Sequence, residues 1–242
     1  MFSYIWHTLF FDPVYNTLVF FIDVIPGGDV GLAIIATVIV VKLVLLPVSI
    51  KAIQTQKVMK EIQPKIKDLK ETHKDNKEAQ AKAMMEIYKE HKMNPFSSIF
   101  IILLQIPIII ALYYSVYTGG GVALPAINVD VLYSFIMEPG SVTMNFLGLV
   151  DITGRSVFLA LAAGITQYIH VGFVMPKPPK PKEGAELNFQ EELMQNMQSQ
   201  LKFVMPVMIA GVAYFISAAI ALYFVVSNIF SIFQELYVRK HR

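Results

Sequence analysis

Long apolar runs constrain this chain more than any other feature of its sequence. They extend over Gly31–Ile50, Ser98–Thr118, Ser156–Met175 and from Phe203 to about Tyr237. A helix needs about 20 apolar residues to cross a hydrocarbon layer of roughly 30 Å, so each of the first three runs is long enough for one crossing. The fourth run is too long for a single crossing, and the small residues Ser217–Ala219 favour two spans joined there. With 55% hydrophobic and 16% charged residues, the chain is predicted to be an all-α membrane protein with five transmembrane helices.

The first 29 residues contain no Lys or Arg, so they lack the charged start of a secretory signal peptide. Their stretch from Pro13 to Ile25 is aromatic and amphipathic, is interrupted by Asp23, and is too short to cross. We therefore expect this segment to be retained as an amphipathic helix in the outer membrane interface. A sixth span that includes Tyr4–Ile22 is the alternative.

Basic residues are concentrated in three segments of the chain. Of the 20 Lys and Arg residues, 11 lie in Lys51–Lys92, four in Lys177–Lys202 and three in the tail that ends at Arg242. With five crossings, all three segments lie on the same side of the membrane. The positive-inside rule makes this side the cytoplasm, so the N-terminus is predicted outside and the C-terminus inside.

The apolar runs and the charges together divide the chain into spans and connecting segments. We expect an outer interfacial segment at 1–29 and spans at 30–50, 98–118, 156–175, 202–217 and 219–238. The connecting segments are a cytoplasmic helical hairpin at 51–97, an outer loop with short interfacial helices at 119–155, a cytoplasmic loop at 176–201 and a basic tail at 239–242.

The predicted hairpin has an apolar stripe at helical spacing on each of its two helices. The stripes include Met59, Ile62, Met84 and Tyr88. Pro64 lies inside the first helix and is expected to kink it or to mark a break.

Lys42 is the most informative residue because it lies inside the first apolar run. At 1.5 Å per residue it is about 14 to 17 Å from either end of the span, farther than a lysine side chain reaches. Such residues normally face a protein interior or a water-filled cavity, since an ammonium at this depth costs about 2.5–3.5 kcal/mol. The alternative is a snorkelling or structurally paired lysine. We interpret Lys42 as a functional charge in a hydrated groove.

Other polar side chains are predicted at a depth similar to that of Lys42. They are Gln105, Gln167 and Asn228, and a polar stripe on the fifth span adds Tyr223, Ser227, Ser231 and Gln234. Each of these residues alone is often a hydrogen-bonding contact between helices. Their common depth favours the alternative that they line one groove.

The sequence does not favour a catalytic or metal site. It contains no cysteine, and its spans have neither paired aspartates nor an HExxH motif. We expect no bound metal, no cofactor and no enzymatic activity. Two rival functions remain, a small-solute transporter or channel and an intramembrane Ser-Lys hydrolase that would use Lys42 with Ser49.

Four strings in this chain carry a family resemblance. They are "GLAIIATVIVVKLVLLPVSIKAIQTQKVMKEIQPKIKDLKE", "NPFSSIFIILLQIPIIIALYYSV", "FLALAAGITQYI" and "LYFVVSNIFSIFQ". In this order and spacing the sequence resembles the YidC/Oxa/Albino family of membrane protein insertases, over nearly the whole chain. The resemblance implies five helices around a hydrophilic groove that is open to the cytoplasm and the lipid. It also implies a bacterial plasma membrane location.

The resemblance further assigns individual residues to the groove. Lys42 matches a position that is typically Arg in the family, which keeps the charge but loses the planar fork of donors. Gln167 matches a groove position, and Phe224 stands where many relatives have Trp or Tyr. The implied function is insertion of nascent membrane proteins without nucleotide hydrolysis. The hairpin would receive the nascent chain, and Lys42 would attract its short acidic or polar tail. The expected partners are nascent membrane proteins and the lipid bilayer, with the ribosome and a Sec translocon as candidates and no DNA.

Overall fold

The computed structural model describes residues 2–73, 76–91, 97–118, 121–174 and 189–241. In these ranges the chain is mostly helical, which confirms the predicted helical class. The chain forms two compact units: Met1–Val44 with Ile106–Phe233, and Leu45–Gln105 with Gln234–Arg242. Parts of the predicted segments lie outside the described residues. They are 1 in the outer segment, 74–75 and 92–96 in the hairpin, 119–120 in the outer loop, 175 at the end of the third span, 176–188 in the cytoplasmic loop and 242 in the tail.

The helices follow one another with little other secondary structure in the described ranges. In chain order they are α1 (Phe2–Trp6), a π-helical turn (His7–Phe11), α2 (Asp12–Val24), α3 (Val30–Val44), α4 (Leu46–Thr72), α5 (Lys77–Glu90), α6 (Ser97–Tyr117), a 3-10 turn (Val129–Val131), α7 (Val157–Val174), α8 (Phe189–Ile216) and α9 (Ala218–His241). Two short strands, β1 (Asn145–Phe146) and β2 (Val150–Asp151), pair antiparallel between α6 and α7.

The helical stretch at the N-terminus is longer than predicted and packs into the first unit. It begins at Phe2 and continues through the π-helical turn to Val24. Asn16 on α2 is buried, where its amide donates to the carbonyl of Val131 at 3.0 Å and its oxygen accepts from the N–H of Tyr133 at 2.6 Å. The buried apolar side chains of α2 include Val14, Tyr15, Leu18, Val19 and Ile22. One face of this helix therefore contacts protein rather than solvent or lipid.

Asp29 fixes the first residues of α3, the helix that carries Lys42. One carboxylate oxygen accepts a hydrogen bond from the N–H of Leu32 at 3.0 Å, which satisfies a donor of the first helical turn. The other oxygen accepts from the N–H of Leu147 at 2.7 Å, in the turn between β1 and β2. The start of α3 is thus tied to the strand pair.

Small residues allow α7 and α8 to pack closely. A Cβ atom added at Gly164 would lie 3.0 Å from the Cβ of Ala210 and 3.2 Å from the carbonyl oxygen of Pro206. Small residues are common where membrane helices approach each other, because association there depends on close packing. The cluster behind this contact consists of Ala160, Ala163, Ala213 and Ala221.

The fourth apolar run is divided at Ser217, where α8 ends and α9 begins. This is the position at which the sequence predicted two helices. The N–H groups of Ala218 and Ala219 donate to the carbonyls of Gly154 at 2.8 Å and Ile152 at 2.9 Å. These bonds satisfy donors at the start of α9 and bring it next to the segment that leads into α7.

Two described helices meet length and hydropathy criteria for a membrane span, namely Val157–Val174 and Ala218–Lys240. A third is counted if α3 and α4 up to Ile66 together form one broken span. Leu103–Tyr117 and Lys202–Ile216 are shorter apolar helices in the part of the chain that the structure describes.

The second unit begins with a helix break that the sequence analysis did not predict. The expected single helix over 30–50 ends at Val44, and α4 starts at Leu46, with Pro47 in its first turn. A proline there cannot donate to the preceding turn, and its ring would clash with the carbonyl of Leu43 in a continuous helix. In contrast, α4 continues through Pro64, so a break at that proline is wrong.

The α4–α5 hairpin has a side-chain cap at the start of its second helix. The Asn76 side chain accepts a hydrogen bond from the N–H of Ala79 at 3.0 Å, in the usual geometry of a helix N-cap. The cap fixes the N-terminus of α5 at Lys77.

Substitution of Gly164 by Leu tests the close packing of α7 against α8. The larger side chain has to displace Ala210 or the backbone at Pro206, and such overpacking costs about 1–3 kcal/mol. We expect a lower thermal unfolding midpoint in detergent. Gly172→Leu on the same helix is the control, because an added Cβ there has no neighbour within 4 Å. Equal midpoints for the two variants would contradict the described packing.

Candidate functional site

Lys42 lies in the last turn of α3 and is half-buried in the first unit. Its ammonium donates a hydrogen bond to the hydroxyl of Ser231 on α9, with an Nζ–Oγ distance of 3.2 Å. A hydroxyl accepts this bond without neutralising the charge. Lys42 is therefore joined to α9 by a polar contact that leaves its positive charge available.

A second polar contact joins α9 to α7. The side-chain amide of Asn228 donates to the hydroxyl of Thr166 at 3.3 Å, and Asn228 is only 5% exposed. The Thr166 hydroxyl in turn donates to the carbonyl of Ala162 at 2.8 Å. Asn228 was predicted from its depth, whereas Thr166 was missed because a threonine within an apolar run is usually bonded to its own helix.

His170 is a further polar residue that the sequence analysis missed. It lies on α7 and is half-buried. Its Nδ1 atom is buried and has no hydrogen-bond partner among the described residues. Its spacing of four from Thr166 was the available signal, because residues four apart share a helix face.

Tyr223 is enclosed by protein, with 2% of its surface exposed. It lines a cavity of about 10 Å³, roughly the volume needed for one water. The other lining residues are Val14, Thr37, Val38, Val41, Ile108 and Leu112. The Tyr223 hydroxyl has no hydrogen-bond partner in the described ranges. Ser227, one turn further on, is also buried, so these two predicted groove residues lie within the packed helices.

The other predicted groove residues have different surroundings. Phe224 packs against the small-residue cluster of α7, α8 and α9, and its ring meets that of Tyr223 edge to face at 5.5 Å. Gln167 is half-buried on α7, next to Thr166, which makes the contact with α9. Gln105 is half-buried on α6 and belongs to the second unit.

The predicted contact residues of the hairpin are only partly accessible. Met59 on α4 and Met84 and Tyr88 on α5 are half-buried, but Ile62 is 2% exposed and therefore belongs to the packed interior. Met85 is an exposed apolar residue of the same hairpin that the prediction omitted. Of these five residues, Met85 is therefore the most accessible.

The C-terminal part of α9 contacts α4 through polar and charged groups of the second unit. Glu235 is buried, and one of its carboxylate oxygens accepts from Arg239 at 2.9 Å. Burial lowers the pKa of Lys60 on α4, the charge of Arg239 lowers it further, and the charge of Glu235 raises it. The start of the hairpin is therefore coupled electrostatically to the end of α9.

Ser49, the nucleophile of the rival hydrolase hypothesis, takes part in this same contact region. Its hydroxyl donates to the carbonyl of Leu46 at 3.0 Å and accepts from the side-chain amide of Gln234. In this arrangement the serine joins α4 to α9 by hydrogen bonds. Its proton is directed to a backbone carbonyl rather than to a general base.

Substitution of Glu235 by Gln tests the coupling of Lys60 to α9. Removing the carboxylate removes the contribution that raises the pKa of Lys60, so we expect this pKa to fall further below its usual value. Titration of reductively ¹³C-methylated lysines by NMR measures the change. An unchanged or higher pKa for Lys60 would contradict the described cluster, and exposed Lys65 provides the internal reference.

Comparison with known proteins gives concordant matches over nearly the whole chain. The family model described as "60Kd inner membrane protein" matches residues 21–242. The "Membrane protein insertase YidC" of Oceanobacillus iheyensis is 30% identical over 240 residues, covering 98% of this chain and 84% of that protein. The protein of the same name from Clostridium tetani is 30% identical over 215 residues, covering 89% of this chain and 84% of that protein.

Longer relatives match over the same region. The "Membrane protein insertase YidC" of Pelobacter propionicus is 28% identical over 235 residues, which are 97% of this chain but only 39% of that protein. The shared part is thus the helical region described above. Because the family model covers most of the chain and the relatives align along nearly its full length, this protein belongs to the 60Kd inner membrane protein family, together with the YidC proteins that it matches.

Proposed function

We propose that the protein is a membrane protein insertase, which moves short polar tails of nascent membrane proteins through a hydrophilic groove and releases their hydrophobic segments into lipid. The matched relatives are named membrane protein insertases. The observation that carries the proposal for this chain is the half-buried ammonium of Lys42, which is bonded to the hydroxyl of Ser231 between apolar helices. Such a group can attract an acidic or polar tail to a depth that lipid alone would not allow.

The proposed topology has five spans, at 30–50, 98–118, 156–175, 202–217 and 219–238. The spans at 98–118 and 202–217 correspond to α6 and α8, whose apolar portions are short. The length of the whole helices supports them, since α6 has 21 residues and α8 has 28. About 20 residues suffice for a crossing. The basic segments then lie in the cytoplasm of a bacterium, with the N-terminus outside its plasma membrane. Residues 1–29 would contribute the outer interfacial segment, with one face of α2 held against the bundle.

The groove is proposed to lie beside Lys42, with walls from α7 and α9. The contacts from Lys42 to Ser231 and from Asn228 to Thr166 support a polar surface on these helices. Gln167 is assigned to the same surface. Tyr223, Phe224 and Ser227 would form the packed wall behind it, because they are buried or face other helices. Gln105 is assigned to the groove on its sequence depth alone.

Insertion needs no nucleotide if the substrate supplies the free energy. A hydrophobic segment gains free energy when it leaves water for lipid, and each Leu, Ile, Phe or Val contributes about 0.3–0.6 kcal/mol at the helix centre. A polar groove shortens the apolar distance that the attached tail has to cross. Exposed apolar side chains on α7 and α9 support release along these helices, and they include Leu161, Ile165, Ile229 and Phe233.

The α4–α5 hairpin is proposed to receive the nascent chain before insertion. Met59, Met84 and Tyr88 are partly accessible and Met85 is exposed, which offers flexible apolar contacts to varied sequences. Ile62 would act by packing the hairpin. The ribosome and a Sec translocon are proposed partners on this cytoplasmic side, where the basic residues provide an attractive charge for phosphate groups.

Replacement of Lys42 tests the proposed function. Lys42→Ala should lower the insertion of an acidic-tailed substrate into liposomes by roughly tenfold or more, since a hydrogen bond to a charged group contributes about 1.5–3 kcal/mol. Lys42→Arg should keep insertion because it keeps the charge. The control is Lys77→Ala, which removes an exposed lysine at the start of α5. Insertion by Lys42→Ala at the wild-type rate would exclude Lys42 from the mechanism.

A further inference from the structure

The contact between Thr166 and Asn228 sets the register of α7 against α9. The two helices begin side by side, because Ala218 at the start of α9 bonds to the carbonyl of Gly154, shortly before α7. Thr166 and Asn228 then meet at nearly equal distances along their helices. The helices therefore run in parallel from a common end.

One turn beyond this contact, each helix has another polar residue. His170 follows Thr166 by four residues on α7, and Ser231 follows Asn228 by three on α9. Residues three and four apart lie on the same helix face, so His170 and Ser231 are at a similar level. Ser231 accepts the hydrogen bond from Lys42. This register puts His170 at the level of the contact between Lys42 and Ser231, so polar groups of α3, α7 and α9 come to one level.

The imidazole of His170 has unused hydrogen-bonding capacity. Its Nδ1 is buried without a partner in the described part of the chain, and a buried polar group without a hydrogen bond is destabilising. A neutral imidazole has one donor and one acceptor nitrogen, and rotation of the ring can present either of them. A ligand that bonds to this ring would recover part of that cost.

We infer that His170 is a specificity-determining residue of the proposed insertase: together with Lys42 it holds a carboxylate of the substrate's tail. The inference rests on the proposed function, and it adds a residue and a selectivity to it. A lysine is a point charge and lacks the planar fork with which an arginine holds both oxygens of a carboxylate. In this chain Lys42 supplies the charge and one donor, and the N–H of His170 supplies the second donor from a neighbouring helix.

This arrangement distinguishes acidic tails from neutral ones. A carboxylate has two oxygens that accept hydrogen bonds, and a bond to a charged acceptor is about twice as strong as one between neutral groups. Replacing the acidic residue by its amide removes the charge and one acceptor. His170 should therefore matter more for Asp- or Glu-containing tails than for the matching Asn or Gln tails.

A binding experiment tests the site without requiring insertion. The protein is embedded in nanodiscs, and a short acidic peptide and its amide counterpart are titrated against wild type, His170→Ala, His170→Gln and the control His7→Ala. His7 is exposed and bonds to Asp12, away from the candidate site. We expect roughly fivefold weaker binding of the acidic peptide by His170→Ala, near-normal binding by His170→Gln and His7→Ala, and little effect on the amide peptide.

Repeating the His170→Ala substitution in the Lys42→Arg variant separates this binding role from a structural one. In Lys42→Arg the fork of donors is restored on a single side chain, so adding His170→Ala should cost less than twofold. A wild-type affinity for His170→Ala would overturn the inference, as would equal losses for both peptides or an undiminished loss beside Arg. Insertion assays on the same variants test the parent proposal. Selective peptide binding by a protein that inserts nothing would refute the insertase function and leave the His170 site standing.

Discussion

The free-energy cost of placing the Lys42 ammonium among apolar helices is the constraint on which the polar contacts around it depend. Lys42 lies on a helix of Val, Ile and Leu residues, and among the described residues its partner is the hydroxyl of Ser231 rather than a carboxylate. A hydroxyl does not offset the charge, so hydration or a ligand has to provide the remaining stabilisation. In the proposed function, the incompletely stabilised charge of Lys42 attracts the substrate's tail.

The surrounding structure holds this charge in place from several directions. Asp29 ties the start of α3 to the strand pair, and the break near Leu45 ends the helix soon after Lys42. Close packing at Gly164 fixes α7 against α8, while the bond from Asn228 to Thr166 fixes α7 against α9. The polar contacts are few and the rest of the interface is apolar. Each polar residue therefore has a defined position, as expected where alternatives would leave polar groups unsatisfied in lipid.

Sequence patterns predicted the helical class and the division of the last apolar run, because both depend on local hydrophobicity and on small residues in the chain. They also singled out Lys42 and Asn228, polar residue types that are rare within apolar helices, and the structure shows each in a polar contact with a neighbouring helix. They did not identify Thr166 or His170, since the side of α7 that meets α9 depends on packing between segments some 60 residues apart. The extent of the N-terminal helix was likewise underestimated, because its buried face is satisfied by distant groups such as those around Asn16.

The most direct test measures whether water reaches the contact between Lys42 and α9. The chain has no cysteine, so single cysteines can be introduced at Ser231, Ile229 and Phe233 without a background and labelled in sealed vesicles with a membrane-impermeant maleimide. Ile229 is 40% and Phe233 68% exposed on the protein, but in the proposed topology both face lipid. The account predicts that the cysteine at 231 reacts from the cytoplasmic side much faster than those at 229 and 233. An unreactive cysteine at 231 beside reactive ones at 229 and 233 would contradict a hydrated groove at Lys42.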